Sequence, residues 1–325
     1  MANGIEPASV PRHHGDAMIP SLQMIRVISD GRAGHENQST GLAEALARRA
    51  GARVEITRIT GGSYVERFRR AAALAPGANK PDMLIGTGHA THLPLKFAAR
   101  SFGAKSIVIM RPTWPKSWFD LCLVPAHDGN DPCVGGNVIT TRGALNRIPE
   151  QLPPKLALGM VLIGGPSKSH GWDGAAMADA VCDVVGSRPE LNWTVADSRR
   201  TPPDFFPMLI SRELKAELVS HTKTKPDWLP LTLLQAEEVW VTADSISMIH
   251  EAVTAEASTG ILPTPARRQN GRVYGAVNHL VADGYATTYA AWQSRGRKLL
   301  PSKPLHETAR CAELVLERLS PGATR

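Results

Sequence analysis

Cysteine is scarce in this chain of 325 residues, and the few cysteines present are widely spaced. Zinc sites and disulfide frameworks are built from closely spaced or paired cysteines, and no CxxC spacing occurs here, so neither is indicated. The four cysteines are Cys122, Cys133, Cys182 and Cys311. This sparse use fits a reducing compartment, and we expect the protein to be cytoplasmic.

Long apolar runs are also missing. No stretch reaches the roughly 18 apolar residues that a membrane-spanning helix needs. Residues 1–20 contain prolines, Arg12 and two histidines but no apolar segment, so they do not form a secretory signal, and we expect a flexible tail. Aromatic residues make up only 5% of the chain against 42% hydrophobic residues overall, which favours α/β layers over an all-β sandwich.

Basic residues outnumber acidic ones by 37 to 30, which leaves a formal net charge of +7. Such an excess suits phosphate-bearing substrates, an anionic membrane surface or nucleic acid. The basic residues are scattered in pairs such as Arg48-Arg49 and Arg199-Arg200, however, and no aromatic-interleaved RNA-binding motif is present. Nucleic acid is therefore not expected as a partner.

Apolar strand patterns alternate with helical patterns along most of the chain. Strands are predicted at 24–28, 53–59, 82–86, 106–110, 121–124, 137–140, 157–163, 191–196 and 239–241. Helices are predicted through 41–49, near 93–101, at 173–186, and within 204–220 and 230–237. This alternation predicts parallel, doubly wound sheets.

A proline-rich polar stretch at 144–156 divides the pattern and is a credible linker. The length also favours two domains, at roughly 150 residues each. We therefore predict an α/β protein with two Rossmann-like domains, residues 21–150 and 151–305, facing each other across a cleft. A ligand would bind in that cleft, at the carboxyl ends of both sheets.

The most informative segment, residues 238–252, is an apolar strand that runs directly into a helix start. Asp244, Ser245 and Ser247 cluster where a helix leaves backbone N–H groups unpaired and favours an anion, so they are predicted to bind phosphate. Glu251 follows about two turns later on the same face, and a nucleoside diphosphate would suit both ends. The alternative is an ordinary capped helix with Glu251 in water.

A second anion site is predicted in the loop that follows residues 157–163. Its small residues expose backbone N–H groups, and a lysine adds positive charge. The candidate residues are Gly164, Gly165, Ser167 and Lys168. The spacing is not that of a Walker loop, and a plain turn is the alternative. In a later loop, Arg199 or Arg200 could meet a base or a phosphate, or could be surface charge.

The loop after the first predicted strand carries Arg32, Gly34 and His35, where open α/β sheets bind ligands. It lacks a complete GxGxxG spacing, so a dinucleotide cofactor is not favoured. His35 is a candidate general base because histidine titrates near neutrality, although a histidine at a helix start can simply cap or pack.

Two further loops in the first half are candidates for the cleft wall. Gly88 would let the backbone approach a ligand, and His89 follows it. The spacing of His89 and His92 superficially suggests metal, but no third ligand follows at a recognised spacing, so no metal site is expected. Arg111 begins a loop whose Trp114 and Trp118 could stack on sugar, rest at a lipid interface or be buried.

Three motifs, at residues 29–38, 162–167 and 241–251, together resemble the mitochondrial-fission Elm family, whose bacterial members look like GT-B glycosyltransferases. The resemblance implies that residues 21–150 take the acceptor and residues 151–305 an activated sugar. It also implies that a helix within 306–325 crosses back to the first domain.

The unit around residues 239–252 is similar to that of the GT-B enzyme that makes peptidoglycan lipid II. This similarity implies that Glu251 holds the ribose and that Ser245 and Ser247 lie near the diphosphate. The loop from Gly31 to His35 resembles the glycine-rich amino-terminal loop of the same enzyme, which implies that Gly34 approaches the substrate and that His35 acts on the acceptor hydroxyl.

We therefore expect a metal-independent glycosyltransferase that moves a sugar from a nucleoside diphosphate sugar to a hydroxyl acceptor, on a lipid-linked or envelope glycan. No cofactor is expected, and no metal ion is needed at the diphosphate, because helix ends and Lys168 would stabilise the diphosphate as it departs. A peripheral contact with the inner membrane is a further expectation. The alternatives are a nucleotide-sugar epimerase or hydrolase on the same fold, and a non-catalytic membrane-associated scaffold.

Overall fold

The computed structural model describes residues 22–73, 79–126, 136–225, 227–267, 271–301 and 303–319. The tail expected at residues 1–20 lies outside these ranges. Two six-stranded sheets form the scaffold, and every strand pair in both sheets is parallel. The predicted α/β class with two Rossmann-like sheets is confirmed.

The first sheet has the strand order β2-β1-β3-β4-β5-β6. Its strands are β1 (Met24–Ser29), β2 (Arg53–Arg58), β3 (Met83–Thr87), β4 (Lys105–Ile109), β5 (Leu121–Pro125) and β6 (Val138–Thr141). The helices between them are α1 (Ala33–Ala50), α2 (Tyr64–Ala72) and α3 (His89–Phe102). The carboxyl ends of β1, β3 and β4 therefore lie along one edge of the sheet.

The second sheet has the order β12-β11-β10-β7-β8-β9. Its strands are β7 (Leu156–Leu162), β8 (Asn192–Ala196), β9 (Glu217–Val219), β10 (Ala236–Thr242), β11 (Ser258–Leu262) and β12 (Thr287–Thr288). Its helices are α4 (Gly174–Ser187), α5 (Phe205–Ile210), α6 (Trp228–Gln235), α7 (Ile246–Thr254), α8 (Arg272–Ala282) and α9 (Tyr289–Ser294). Residues 160–162 of β7 and 239–241 of β10 are buried apolar runs, as is typical of strands that are covered on both faces.

The last helix, α10 (Glu307–Leu319), packs against α1 and β6 of the first sheet, although it follows the whole second sheet in the chain. Cys311, Ala312 and Val315 are fully buried in the same core as Ile25 of β1. A buried hydrogen bond of 3.0 Å from the backbone N–H of Asn146 to the Thr308 hydroxyl fixes the start of this helix. The chain therefore crosses from one sheet to the other twice. The two crossing segments lie side by side, where Asn146 contacts Thr308.

Residues 144–156, predicted to be a linker, are held firmly. Leu145, Asn146 and Ile148 are buried, and the Asn146 amide donates a 2.9 Å hydrogen bond to the hydroxyl of Thr254 in α7. This segment connects the sheets through packed contacts.

Two predicted helices are wrong in extent. The predicted helix over 204–220 ends at Ile210, and residues 217–219 form the edge strand β9. α1, predicted from Gly41, begins at Ala33 because the backbone N–H groups of His35 and Glu36 already bond to the carbonyl of Arg32. His35 therefore lies in the first turn of a helix. Within the described ranges, no helix is long and apolar enough to cross a membrane.

Candidate active site between the two sheets

A cleft of about 960 Å³ separates the two sheets, within the size range of small-molecule sites. One wall is a single face of α1 together with the edge strand β2, and the other is the loop after β8 and the start of α7. The main lining residues are Gly34, Glu36, Asn37, Thr40, Glu44, Arg58, Arg147, Arg199, Arg200, Ser245, Ser247 and Glu251. Of the residues predicted to bind a ligand, Gly34, Ser245, Ser247 and Glu251 thus lie at one cleft.

Glu251 is buried in this wall and does not lie in water. The Asn37 amide, on α1 of the opposite wall, donates a 2.5 Å hydrogen bond to its carboxylate. Burial raises the pKa of Glu251 to about 7, against the lowering effect of that hydrogen bond. A buried carboxyl group is therefore held in the wall of the cleft, where its partner amide can be exchanged for a ligand hydroxyl.

The raised pKa of Glu251 makes stability depend on pH. Because this pKa is higher in the folded chain than the ordinary value of 4.5, its contribution is complete below about pH 4.5 and is lost as pH rises through 7. The loss corresponds to about 3 kcal/mol. We expect Glu251→Gln to remove this pH-dependent loss of stability. In urea unfolding, the variant should therefore gain stability relative to the wild type as the pH rises from 5 to 9. Glu317→Gln, at an exposed position of α10, is the control, and equal pH profiles for Glu251→Gln and the wild type would contradict the prediction.

Asp244 lies beside the cleft but is turned into the protein. Its carboxylate accepts a 2.5 Å bond from Arg200 and a 3.2 Å bond from the backbone N–H of Gly165, and its side chain is fully buried. A Cβ on Gly164 would lie 2.3 Å from the same carboxylate. Asp244 therefore holds Arg200 at the cleft.

The glycine-rich loop after β7 is tightly packed rather than open. A Cβ on Gly165 would lie 2.0 Å from the carbonyl oxygen of Arg200. The Ser167 hydroxyl accepts from the backbone N–H groups of Ser169 and His170 and so closes its own turn. Lys168 is exposed and, like Ser167, does not line the cleft. The loop thus supports Arg200, and the arginine supplies the charge at the cleft.

At the start of α7, Ser245 is the N-cap residue, but its side chain makes no capping bond. Its hydroxyl and that of Ser247 both line the cleft, where the backbone N–H groups of the first turn are also unpaired. Arg199 beside them is exposed and makes no side-chain hydrogen bond or ion pair to any part of the chain that the structure describes. Hydroxyls, a helix amino end and two arginines are the groups that bind phosphates.

Next to the cleft, Asp30 and His35 form a second cluster at the carboxyl end of β1. The Asp30 carboxylate and the His35 Nδ1 are 2.9 Å apart, and Asp30 is almost fully buried. Gly88 has a φ of +90°, and a Cβ there would lie 2.5 Å from the His35 ring. Glycine is therefore required for the ring to occupy this place. His35 is outside the cleft lining, although Gly34 and Glu36 on either side of it belong to that lining.

The remaining acceptor candidates surround this cluster. The His89 Nδ1 is 2.6 Å from the hydroxyl of Thr113, and Arg32 reaches within 3.8 Å of Asp30. Arg111 follows β4 on the same edge, where it is exposed. His92 is buried, and burial together with the neighbouring His89 lowers its pKa to about 4. In the residues that the structure describes, no three His, Cys, Asp or Glu side chains come together as a metal site would require.

The Asp30 and His35 pair is suited to proton transfer. A carboxylate bonded to Nδ1 fixes the imidazole tautomer, leaves Nε2 available as a base and stabilises the ring once it is protonated. Sequence reasoning missed Asp30 and Asn37, although both belong to the motif at 29–38. The signal for Asp30 was its position directly after the first strand, whereas Asn37 lies further on, within α1.

A family model described as Mitochondrial fission ELM1 matches residues 33–319, which is most of the chain. The chain belongs to this family. The uncharacterized protein RP120 of Rickettsia prowazekii is 24% identical over 223 residues, an alignment that covers 54% of this chain and 62% of RP120. The chain therefore spans less than two thirds of the length of RP120.

Solved structures with a similar fold include a UDP-GlcNAc 2-epimerase from Neisseria meningitidis bound to UDP-GlcNAc, at 12% identity and a TM-score of 0.50, with 91% of this chain and 99% of that chain covered. MurG of Acinetobacter baumannii has the same identity and TM-score, and the match covers 91% of this chain and 98% of MurG. The calicheamicin glycosyltransferase CalG4 also has 12% identity and a TM-score of 0.50, with 94% and 100% covered. The chain thus has the GT-B fold predicted from its motifs.

Proposed function

We propose that this protein is a metal-independent glycosyltransferase that moves a sugar from a nucleoside diphosphate sugar to a hydroxyl group on a lipid-linked or envelope glycan. The observation that carries the proposal is the placement of two unlike sites side by side, one in the wall of the cleft and one next to the cleft. Glu251 and the start of α7 form one wall, and the Asp30 and His35 pair adjoins the other.

The donor would bind along the α7 wall. Ionised Glu251 would accept hydrogen bonds from the ribose hydroxyls in place of the one from Asn37, and Ser245 and Ser247 would donate to the diphosphate. Arg199 and Arg200 would offset the charge that develops on the departing diphosphate, which is the work of a metal ion in other enzymes. Because Lys168 lies outside the lining, we assign this role to the arginines instead.

The acceptor would bind at the carboxyl edge of the first sheet. As the acceptor oxygen forms its bond to the anomeric carbon, the bond from that carbon to the diphosphate oxygen breaks. The His35 Nε2 takes the hydroxyl proton, and Asp30 stabilises the imidazolium that results. The diphosphate leaves with the electron pair, against Arg199 and Arg200.

Nucleotide binding tests the donor site. We expect at least one of UDP, GDP, ADP and TDP to bind in calorimetry, and Glu251→Ala to weaken that binding at least about tenfold, since two hydrogen bonds to a charged group are lost. Glu317→Ala is the matched control at an exposed site. Failure of all four nucleotides to bind at millimolar concentration would reject the proposal, and so would nucleotide binding that Glu251→Ala leaves unchanged.

Epimerisation or hydrolysis is the second candidate, favoured by the similarity in fold to a UDP-GlcNAc 2-epimerase. The two reactions differ in their need for an acceptor. The protein is incubated with the nucleotide sugar alone, and the sugar is analysed by NMR. Rapid conversion without an acceptor supports the second candidate, whereas conversion that requires an added acceptor supports transfer.

A further inference from the structure

The outer surface of α2, α3 and the loop 111–118 carries an unusual number of exposed apolar side chains. Val65 is 57% exposed and Phe97 is 55% exposed. The exposed large apolar residues of this surface are Tyr64, Val65, Phe97, Trp114 and Trp118. We call this surface the α2–α3 face. Contiguous apolar surface of this kind is uncommon on a protein that faces only water.

Side-chain contacts make the α2–α3 face continuous. The rings of Phe68 on α2 and Phe97 on α3 meet edge to face at 4.9 Å. The Lys96 ammonium on α3 bonds to the carbonyl of Trp118, and the Trp118 ring stacks on that of Trp114 at 5.0 Å. Both helices and the loop are therefore parts of one surface.

This face is also strongly basic. Its cations are Arg67, Arg69, Arg70, Lys96, Arg100 and Lys116, and its one nearby acid on α2 is Glu66. Glu66 is occupied in the capping box with Ser63. Arg69 and Arg100 are exposed, and their side chains bond to no other part of the described chain. The charges of Arg69 and Arg100 are therefore available to an external anion.

We propose that the α2–α3 face binds to the surface of a bilayer that contains anionic lipids. Tryptophan and tyrosine rings are suited to the headgroup level, apolar side chains enter the acyl boundary, and arginine and lysine are attracted to anionic headgroups. A protein partner is the other occupant that such a face could take, and the vesicle experiment below distinguishes the two.

The face adjoins the acceptor side of the cleft. Thr113, which bonds to His89, directly precedes Trp114. A bilayer on this face would therefore lie close to the carboxyl edge of the first sheet, from which a lipid-linked hydroxyl could reach His35. Binding to the bilayer does not itself depend on the proposed function, so its test is independent of nucleotide binding.

The experiment is sedimentation of the full chain with vesicles. We expect binding to vesicles of phosphatidylcholine mixed with phosphatidylglycerol, weak binding to phosphatidylcholine alone, and release by high salt. Val65→Ser with Phe97→Ser should lower the partition coefficient at least about tenfold because both apolar anchors are lost. Arg69→Ser with Arg100→Ser should lower it by a similar factor and reduce its salt dependence.

Matched controls come from the helices and loops around the second sheet. Ile210→Ser with Leu231→Ser replaces apolar side chains that are 65% and 61% exposed, and Arg295→Ser with Lys298→Ser replaces exposed cations. Both controls should bind vesicles as the wild type does, and thermal unfolding checks that every variant is folded. If this face binds a protein partner instead, the wild type will not bind vesicles, and that result overturns the proposal. Equal loss in the control variants overturns it as well.

Discussion

Replacing His35 with alanine is expected to lower the turnover number for sugar transfer by about 10²- to 10⁴-fold, the usual effect of losing a general base. His35 is bonded to a buried Asp30, and its ring lies under Gly88 at the edge where the acceptor would bind. Because His35 does not line the cleft, the affinity for the donor nucleotide should stay within about twofold of the wild type. The measurement is the rate of nucleotide release at a saturating concentration of a donor that carries the nucleotide found in the binding screen.

Two variants control this experiment. Asp30→Asn keeps the shape but removes the charge that stabilises a protonated ring, so it should also lower turnover while leaving nucleotide affinity intact. His279→Ala removes an exposed histidine of α8 and should change neither quantity. Turnover by His35→Ala within twofold of the wild type would exclude His35 as the base.

Replacing Trp240 with alanine is expected to lower the free energy of unfolding by about 3–5 kcal/mol, the range for truncating a buried aromatic side chain. Trp240 is 0% exposed and meets Trp292 at 5.1 Å. A Cβ on Gly260 would lie 2.4 Å from its ring, so β11 is shaped around it. The indole N–H also donates a 2.7 Å bond to buried Glu238, and burial already raises the pKa of that carboxyl.

Urea unfolding followed by far-ultraviolet circular dichroism measures this loss. Trp118→Ala is the matched control, because Trp118 is partly exposed and its loss should cost no more than about 1 kcal/mol. If the two variants unfold at the same urea concentration, the indole of Trp240 does not anchor the second sheet.

The sheets were predictable from the sequence because their central strands are short apolar runs, such as residues 24–28 and 239–241, separated by turn residues and helical patterns. The edge strand β9 was not predictable in this way. Its Glu217 and Val219 follow Lys215 and Ala216, which favour a helix locally, and only pairing with β8 makes the segment a strand.

The candidate site was predictable only in part. The strand-to-helix position of Ser245 and Ser247 can be read from a few neighbouring residues, and both line the cleft. The bond from Asn37 in α1 to Glu251 in α7 joins residues 214 positions apart, and no local pattern specifies it. The pairing of Asp244 with Arg200 depends likewise on the closeness of two strand ends that are not consecutive in the chain.

The position of α10 has a consequence for how the chain folds as it is synthesised. Ala312, Val315 and Leu316 complete the core of the first sheet, yet Thr308, near the start of their helix, follows its partner Asn146 by 162 residues. A nascent chain that has already made every strand of the first sheet therefore still exposes the apolar surface of α1 and must keep it exposed while the second sheet is translated. The first half should thus bind chaperones until the last helix leaves the ribosome.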